Sequence, residues 1–445
     1  MEDIPTLEER LSDFDPAVRQ DALGRLAAGA APVGTGTNVN MHFHSFFSYN
    51  ALDYSPSRIA WEARKTGLYA AGLCDFDVLD GLEEFLAAGA TLGLRTTVNL
   101  ETRAFLREYA DHDISSPGEP GVTYIMGAGF GRLPRDGSPQ AEGLAGYRRR
   151  ARDRNVALMD RINTKVPEIA IDYQRDVLPL TPAGAATERH MVRAYINKAK
   201  QAFPDAAGTA EFLAGLLDRP LAETTALIAD MPSLEDAIRA RLVKRGGVGY
   251  EQPSEDAFPT VDEFVEWVAS CEAMPMITWL DGTSTGEKDG AELLQCMRDK
   301  GAVALNIIPD RNWNISDPAA RDTKRANLAA VIESAEKMGL PINIGTEMNK
   351  RGLPFVDDLD GEVLSLYREP FLRGARVMVG HSVLLRYANF SYVGAAAAEE
   401  FSSVTEKNAF FEAVGALPPL TADAAGKLED MGPEKALASL RDACV

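Results

Sequence analysis

Short apolar runs alternate with amphipathic stretches over residues 38–130. The runs NVNMHFH, LYAAGLCDFD and LRTTVNLETRAFL are predicted strands, and SPSRIAWEARKTG and VLDGLEEFLAAGATLG are predicted helices between them. Ser55 is expected to cap the first of these helices, and Gly67 is expected to end it. Strands that alternate with helices in this way indicate a parallel sheet or a barrel.

The alternation is interrupted in the middle of the chain. Long helical patterns such as GLAGYRRRARDRNVALMDRIN and ATERHMVRAYINKAKQAF replace it, and it returns with MPMITWLDG, AVALNIIP, PINIGTEMN and FLRGARVMVGHSVLL. We therefore predict an α/β fold with helical extensions at both ends and one helical insertion. The predicted segments are an N-terminal extension (1–37), two barrel parts (38–140 and 256–390), the insertion between them (141–255) and a C-terminal extension (391–445).

Composition narrows the class of function. Hydrophobic residues make up 45% of the chain, charged residues 25%, and the net charge is −20. This acidity argues against binding to nucleic acid or to an anionic membrane surface, although a local arginine cluster can still attract a small anion. The four cysteines are widely spaced, the N-terminus is polar, and no apolar run is long enough to span a bilayer. We expect a cytoplasmic protein, with its oligomeric state left open.

Candidate metal ligands close several of the apolar runs. Two of the five histidines, His42 and His44, stand one residue apart, and in a strand such residues point to the same side. Glu101, Glu347 and His381 follow other predicted strands, and in barrels the chemistry lies where strands end. Nitrogen and carboxylate ligands suit Zn, Mn or Fe. The alternatives are solvated histidines, surface carboxylates and, for His381, a core histidine.

At this point the chain resembles the PHP (polymerase and histidinol phosphatase) superfamily. MHFHSFFSYN, SPSRIAWEARKTGL, LCDFDVLDGLEEF and VNLETR are similar in order and spacing to its opening motifs. RRRARDRNVALMDRIN and ERHMVRAYI resemble the insertion of its metal-dependent phosphoesterase branch, and MPMITWLDG and NIGTEMNK fall where that branch has its later motifs. The resemblance covers roughly residues 38–355. It implies a distorted (βα)7 barrel that holds up to three metal ions.

Departures from the PHP motifs limit what this resemblance implies. Phe76 and Trp279 stand where the family has histidines, Asn50 and Asn349 replace other ligands, and Glu347 replaces an aspartate. Phe and Trp cannot bind a metal. We therefore predict a reduced site with one divalent ion per chain, Zn, Mn or Fe. Its predicted ligands are His42, His44, Glu101 and Glu347.

Three functions are compatible with such a site. The first is a metal-dependent hydrolase, similar to a PHP phosphoesterase, that acts on a small anionic or phosphorylated substrate. The second is a metal-dependent isomerase or epimerase of sugars or sugar acids, and the third is a noncatalytic binding protein. Proton transfer is assigned to Glu347, His381 and His190.

The substrate-binding residues are predicted mainly from charge. Arg189 and Arg193 are spaced i and i+4 on one predicted helix face beside His190, and arginine suits phosphate or carboxylate. The alternative is a solvated, ion-paired helix face. The remaining substrate-binding candidates are Lys350, Asn349, Trp279 and Asn306.

Overall fold

A computed structural model describes residues 3–31 and 33–444. Met1, Glu2, Pro32 and Val445, which belong to the predicted terminal extensions, lie outside the described residues. Within the described part, seven strands form one sheet in chain order. They are β1 (Val39–Phe43), β2 (Ala70–Phe76), β3 (Arg95–Phe105), β4 (Val122–Ala128), β5 (Met274–Trp279), β6 (Ala304–Ile307) and β7 (Ile342–Ile344).

The sheet curves into a nearly closed barrel. Strands β1, β2 and β3 pair in parallel, as do β5, β6 and β7, whereas β4 is antiparallel to both of its neighbours. A bridge between Phe43 and Glu347 joins the two ends of the sheet. The predicted α/β fold class, a distorted barrel with helical extensions, is therefore confirmed. Strand β4, which no predicted helix precedes, was not anticipated from the sequence.

Eighteen α-helices occur among the described residues, and none of them is long and apolar enough to cross a membrane. They are α1 (Ile4–Arg10), α2 (Pro16–Gly29), α3 (Pro56–Thr66), α4 (Leu82–Leu92), α5 (Pro139–Lys165), α6 (Glu188–Ala202), α7 (Ala206–Leu217), α8 (Leu221–Ala229), α9 (Met231–Leu242), α10 (Val261–Ser270), α11 (Gly290–Asp299), α12 (Asp310–Trp313), α13 (Pro318–Met338), α14 (Arg368–Ala388), α15 (Ala395–Glu400), α16 (Val404–Ala416), α17 (Ala422–Met431) and α18 (Pro433–Ala443).

Helix α3 shows how local sequence sets the length of an element. The Ser55 side chain accepts a hydrogen bond from the backbone N–H of Arg58, which caps the first turn. Gly67 adopts φ 72°, a left-handed conformation that ends the helix at low steric cost. Both predictions for this helix are confirmed. The strand β1 that precedes it is thereby separated from β2 by one compact crossover.

The segment FLRGARVMVGHSVLL is part of helix α14, so its predicted strand is wrong. Helix α14 is buried over most of its surface. It packs on the barrel strands and on α16, where a Cβ at Gly380 would lie 1.9 Å from the Phe411 carbonyl oxygen. A helix that is apolar on nearly all sides lacks the 3.6-residue periodicity that distinguishes it from a buried strand.

The chain divides into two compact units. The first comprises the residues up to Ser45, Asn50–Leu144 and the residues from Phe258 onward, and contains the barrel. The second comprises Phe46–Tyr49 and Ala145–Ala257. It is helical and has its own apolar core, which includes Ile162, Tyr195 and Ile238.

Candidate metal centre

Strand β1 places both predicted histidine ligands. His42 lies within the strand and His44 directly after it, and both side chains are completely buried. Because residues i and i+2 of an extended chain share a side, the two imidazoles face the same region, with ring centroids 5.1 Å apart. The HxH spacing therefore produces two convergent nitrogen donors.

Strand β3 brings the first carboxylate to these histidines. Glu101 pairs with Phe76 at the last parallel position between β2 and β3, beyond which β3 continues only against β4. Its Oε2 lies 3.6 Å from His42 Nε2 and 3.5 Å from His44 Nε2. The long strand β3 thus holds Glu101 in its middle, opposite the end of β2.

Glu347 reaches the same place from the turn after β7. Its φ is 63° and that of Met348 is 54°, both left-handed, which non-glycine residues adopt rarely. Two backbone hydrogen bonds hold this turn: Glu347 N–H donates to the His42 carbonyl, and His44 N–H donates to the Glu347 carbonyl. Strained backbone that is held so firmly is frequent at functional sites.

The four side chains fit a divalent metal ion. One ligand atom from each of His42, His44, Glu101 and Glu347 lies within 4.8 Å of every other, and all four residues are buried. Two donors about 2.1 Å from a shared tetrahedral ion would be about 3.4 Å apart. The His–Glu101 separations of 3.5 and 3.6 Å match this value and are too long for good hydrogen bonds. Neither ring nitrogen of His42 has a hydrogen-bond partner among the described residues.

Charge interactions within the cluster favour its ionised carboxylate. Burial opposes ionisation of Glu101, but the facing imidazoles of His42 and His44 lower its pKa to about 2. Burial likewise opposes a charged His42, yet Glu101 and Glu347 raise the pKa of this histidine. The cluster therefore attracts positive charge, as a cation-binding site must.

Residues at positions where the PHP resemblance predicts ligands have structural roles around the cluster. The Phe76 ring stacks on the His44 ring, with centroids 4.5 Å apart and planes 16° apart. Trp279 ends β5 and is 1% exposed. Asn50 donates to the His44 carbonyl and accepts hydrogen bonds from the backbone N–H groups of Leu52 and Tyr54. The side chains of Phe76 and Trp279 thus serve packing, and that of Asn50 stabilises a turn.

The two aspartates near Phe76 lie outside the four-residue cluster. Asp75 accepts hydrogen bonds from the Ser45 backbone N–H and hydroxyl. Asp77 accepts one from the Thr102 hydroxyl. These carboxylates support the loop after His44 and the edge of β3.

His381, a predicted acid or base, lies within α14 and is not one of the four clustered residues. It is fully buried, its Nδ1 accepts the backbone N–H of Tyr392, and burial lowers its pKa to about 3. A ring in this state remains neutral at physiological pH. Its surroundings are those of a core histidine, and its role in proton transfer stays a prediction.

Arg189, His190 and Arg193 lie on α6, in the second unit, and surround Tyr49. The guanidinium groups lie 5.6 Å (Arg189) and 5.1 Å (Arg193) from the centre of the Tyr49 ring. The His190 Nδ1 accepts the Thr187 backbone N–H at the start of α6, and burial lowers its pKa to about 3. Arg193 also pairs with Glu235. Their predicted roles toward substrate stay predictions.

The other predicted substrate-binding residues differ in exposure. Asn349 is partly buried and Lys350 is exposed, both in the turn after Glu347, whereas Asn306 on β6 is fully buried. The Asn306 Oδ1 accepts a hydrogen bond from Asn343 on β7. Asn306 also contributes to the raised pKa of His42, so it is a neighbour of the cluster.

Sequence reasoning named Asn306 but missed that it belongs to a set of buried asparagines in the strands. Each is flanked by apolar residues, in VNM, VNL, LNI and INI, and each is 0% exposed. Asparagine is uncommon in strands and costly to bury, so its recurrence was the available signal. They are Asn40, Asn99, Asn306 and Asn343.

Asp357 is a buried carboxyl group outside the cluster. It is 3% exposed, and neither oxygen makes a hydrogen bond of ordinary geometry among the described residues. Burial and the nearby Asp310 carboxylate raise its pKa to about 7, against a smaller opposing effect of the Asp310 backbone N–H. Between about pH 4 and pH 7 the folded chain therefore binds a proton here that the unfolded chain does not.

The contribution of Asp357 to stability is thus expected to fall as pH rises through this window. Asp357→Asn should stabilise the protein at pH 8, by at most about 4 kcal/mol, and much less at pH 5. Urea unfolding of both proteins at pH 5 and pH 8 measures this difference. An equal effect of the substitution at both pH values would contradict the raised pKa.

Comparisons with known proteins add structural neighbours at low identity. No family model and no curated protein matches the chain. An amidohydrolase from Chromobacterium violaceum, solved with bound sulfate and no metal, is similar with a TM-score of 0.48 and 15% identity, over 75% of this chain and 95% of that one. A protein described as a metal-dependent phosphoesterase from Bifidobacterium adolescentis is similar with a TM-score of 0.45 and 17% identity, over 75% of this chain and 97% of that one. Likenesses this distant identify no function for this chain.

Proposed function

We propose that this protein is a metal-dependent hydrolase that acts on a small anionic or phosphorylated substrate through one divalent ion. The observation that carries the proposal is the buried cluster of His42, His44, Glu101 and Glu347, whose donor atoms all lie within 4.8 Å of one another. Burying the two carboxylates without a compensating charge is unfavourable. A bound cation would balance the carboxylates and accept lone pairs from the two imidazoles.

A divalent ion in this cluster would supply Lewis acidity, which lowers the pKa of water and polarises an oxygen of the substrate. The chain's residues prepare the site for it. Glu101 stays ionised because the two histidines hold its pKa low. The Phe76 ring stacks on the His44 imidazole, and two backbone hydrogen bonds tie the main chain of Glu347 to that of His42 and His44. The donors are thus oriented before a ligand arrives.

The sequence resemblance to PHP phosphoesterases supports hydrolysis over other metal chemistry. No observation on the described residues favours the isomerase. Zn, Mn and Fe remain the expected metals because histidine and carboxylate ligands suit all three.

Metal content and turnover test the proposal. Protein purified without tag or chelator is expected to contain about one equivalent of Zn, Mn or Fe by elemental analysis. The metal-loaded protein is then screened against sugar phosphates, nucleotides and uronates, with phosphate release and aldose–ketose conversion both scored. Metal-dependent phosphate release supports the proposal, and conversion without hydrolysis would replace it by the isomerase. Two or three equivalents would contradict the single-ion site, and no metal after reconstitution would favour a noncatalytic protein.

A further inference from the structure

One cation touches the cluster from its solvent side. Arg311 lies on α12, after β6, and its Nη2 is 3.4 Å from Glu347 Oε2. Its side chain is 48% exposed, whereas that of Glu347 is 10% exposed. A half-exposed arginine beside a buried candidate ligand is in a position to meet both the site and a molecule arriving from solvent.

The contact between Arg311 and Glu347 is weak for an arginine–carboxylate pair. It is a single long contact rather than a bidentate one. Glu347 Oε2 is also the one hydrogen-bond acceptor of the Arg311 side chain among the described residues. The nearby Asp281 carboxylate is held by Lys324 at 2.8 Å and by the Thr283 hydroxyl. Most of the five guanidinium N–H donors therefore remain available.

Arg311 and a metal ion would compete for the same carboxylate. Both are cations. A bound ion would accept a lone pair from the Glu347 carboxylate and would repel the guanidinium. Glu347 is tied to β1 by its backbone hydrogen bonds on both sides. The Arg311 side chain is 48% exposed, so it can turn further into solvent, where water hydrates the guanidinium. If an ion binds, the arginine is therefore the partner expected to move.

We propose that Arg311 is the residue that binds the oxyanion of the substrate, and that it turns from Glu347 to that oxyanion when a divalent ion occupies the cluster. This inference rests on the proposed function. A planar guanidinium matches phosphate and carboxylate groups in two-point contacts. A guanidinium cannot be deprotonated in proteins, so Arg311 carries its charge with or without Glu347 as a neighbour. The substrate class is thereby narrowed to molecules with an oxyanion adjacent to the reacting bond.

Calorimetric titrations of Arg311→Gln and Arg311→Lys test the inference with two readouts, metal affinity and anion affinity. Metal affinity of Arg311→Gln is expected to equal or exceed that of the parent protein, because a competing cation is removed. Affinity of the metal-loaded protein for inorganic phosphate is expected to fall about tenfold or more in Arg311→Gln. Arg311→Lys should lose less phosphate affinity than Arg311→Gln, because lysine keeps the positive charge. A parallel titration with acetate distinguishes a phosphate-selective site from a general carboxylate site.

Arg298→Gln, at an exposed position of α11, changes the net charge equally and is the matched control, expected to bind phosphate as the parent does. Unchanged phosphate affinity in Arg311→Gln would overturn the inference and leave the metal site intact. Weaker metal binding in that variant would also overturn it, since Arg311 would then be a support of Glu347. Absence of metal binding by the parent protein is a separate result, because it would refute the proposed function itself.

Discussion

His42→Ala is expected to abolish stable metal binding and, with it, metal-dependent turnover. His42 is completely buried, and it supplies one of the four donors of the cluster. Loss of a residue that only supports a metal ligand commonly weakens affinity 10- to 100-fold, so loss of the ligand should weaken it by at least about 100-fold. Elemental analysis and competition titration with a chromophoric chelator measure the effect.

His112→Ala is the matched control for His42→Ala. His112 is exposed and lies outside the cluster, and its ring contacts that of Tyr109. This variant should keep the metal content and turnover of the parent protein. Metal retention by His42→Ala at the parent level would contradict the assignment of His42 as a ligand.

Gly345→Ala is expected to destabilise the protein by about 3 kcal/mol or more. A Cβ at this position would lie 2.4 Å from Asn40 Oδ1, 2.5 Å from His42 Cβ and 2.6 Å from His42 N. The neighbours cannot easily withdraw, because the Asn40 side chain is bonded to the Thr346 hydroxyl, the Phe355 carbonyl and the His42 N–H. Strand β1 and the turn after β7 would have to separate, which displaces His42 from Glu347.

Thermal or urea unfolding measures the stability of Gly345→Ala, and a titration measures its metal affinity. Both the stability and the metal affinity should fall. Gly24→Ala is the matched control, because a Cβ on this residue of α2 meets no atom within 4 Å. Alanine in a helix interior is favoured over glycine, so Gly24→Ala should be neutral or stabilising by up to about 1 kcal/mol. If Gly345→Ala is as stable as the parent protein, Gly345 does not pack against Asn40 and His42 as closely as the structure shows.

Much of the barrel could be predicted because its signals are local. The alternation of apolar runs with amphipathic helices, the cap at Ser55 and the stop at Gly67 each depend on neighbours in sequence. The four proposed ligands could be predicted as a group for a similar reason. Each ends or follows an apolar run, and the ends of parallel strands share one edge of the sheet.

Other parts of the site could not be predicted from local patterns. His381 was assigned to a strand because α14 is buried by neighbours on several sides, which hides its helical period. The role of Asn40 depends on Thr346 and Phe355, which are distant in the chain. Likewise, the contact of Arg311 with Glu347 joins the segment after β6 to the turn after β7.

By itself, the sequence determined the α/β alternation, the paired histidines on one side of a strand and the absence of histidine at positions 76 and 279. Periodicity and residue chemistry are properties of short segments, so they can be read without coordinates. Only the tertiary structure decided that His42, His44, Glu101 and Glu347 meet in one buried place. It also decided that an exposed arginine faces them and that Phe76 stacks on His44. These contacts exist because the barrel closes between β1 and β7, and closure depends on packing between residues far apart in the chain.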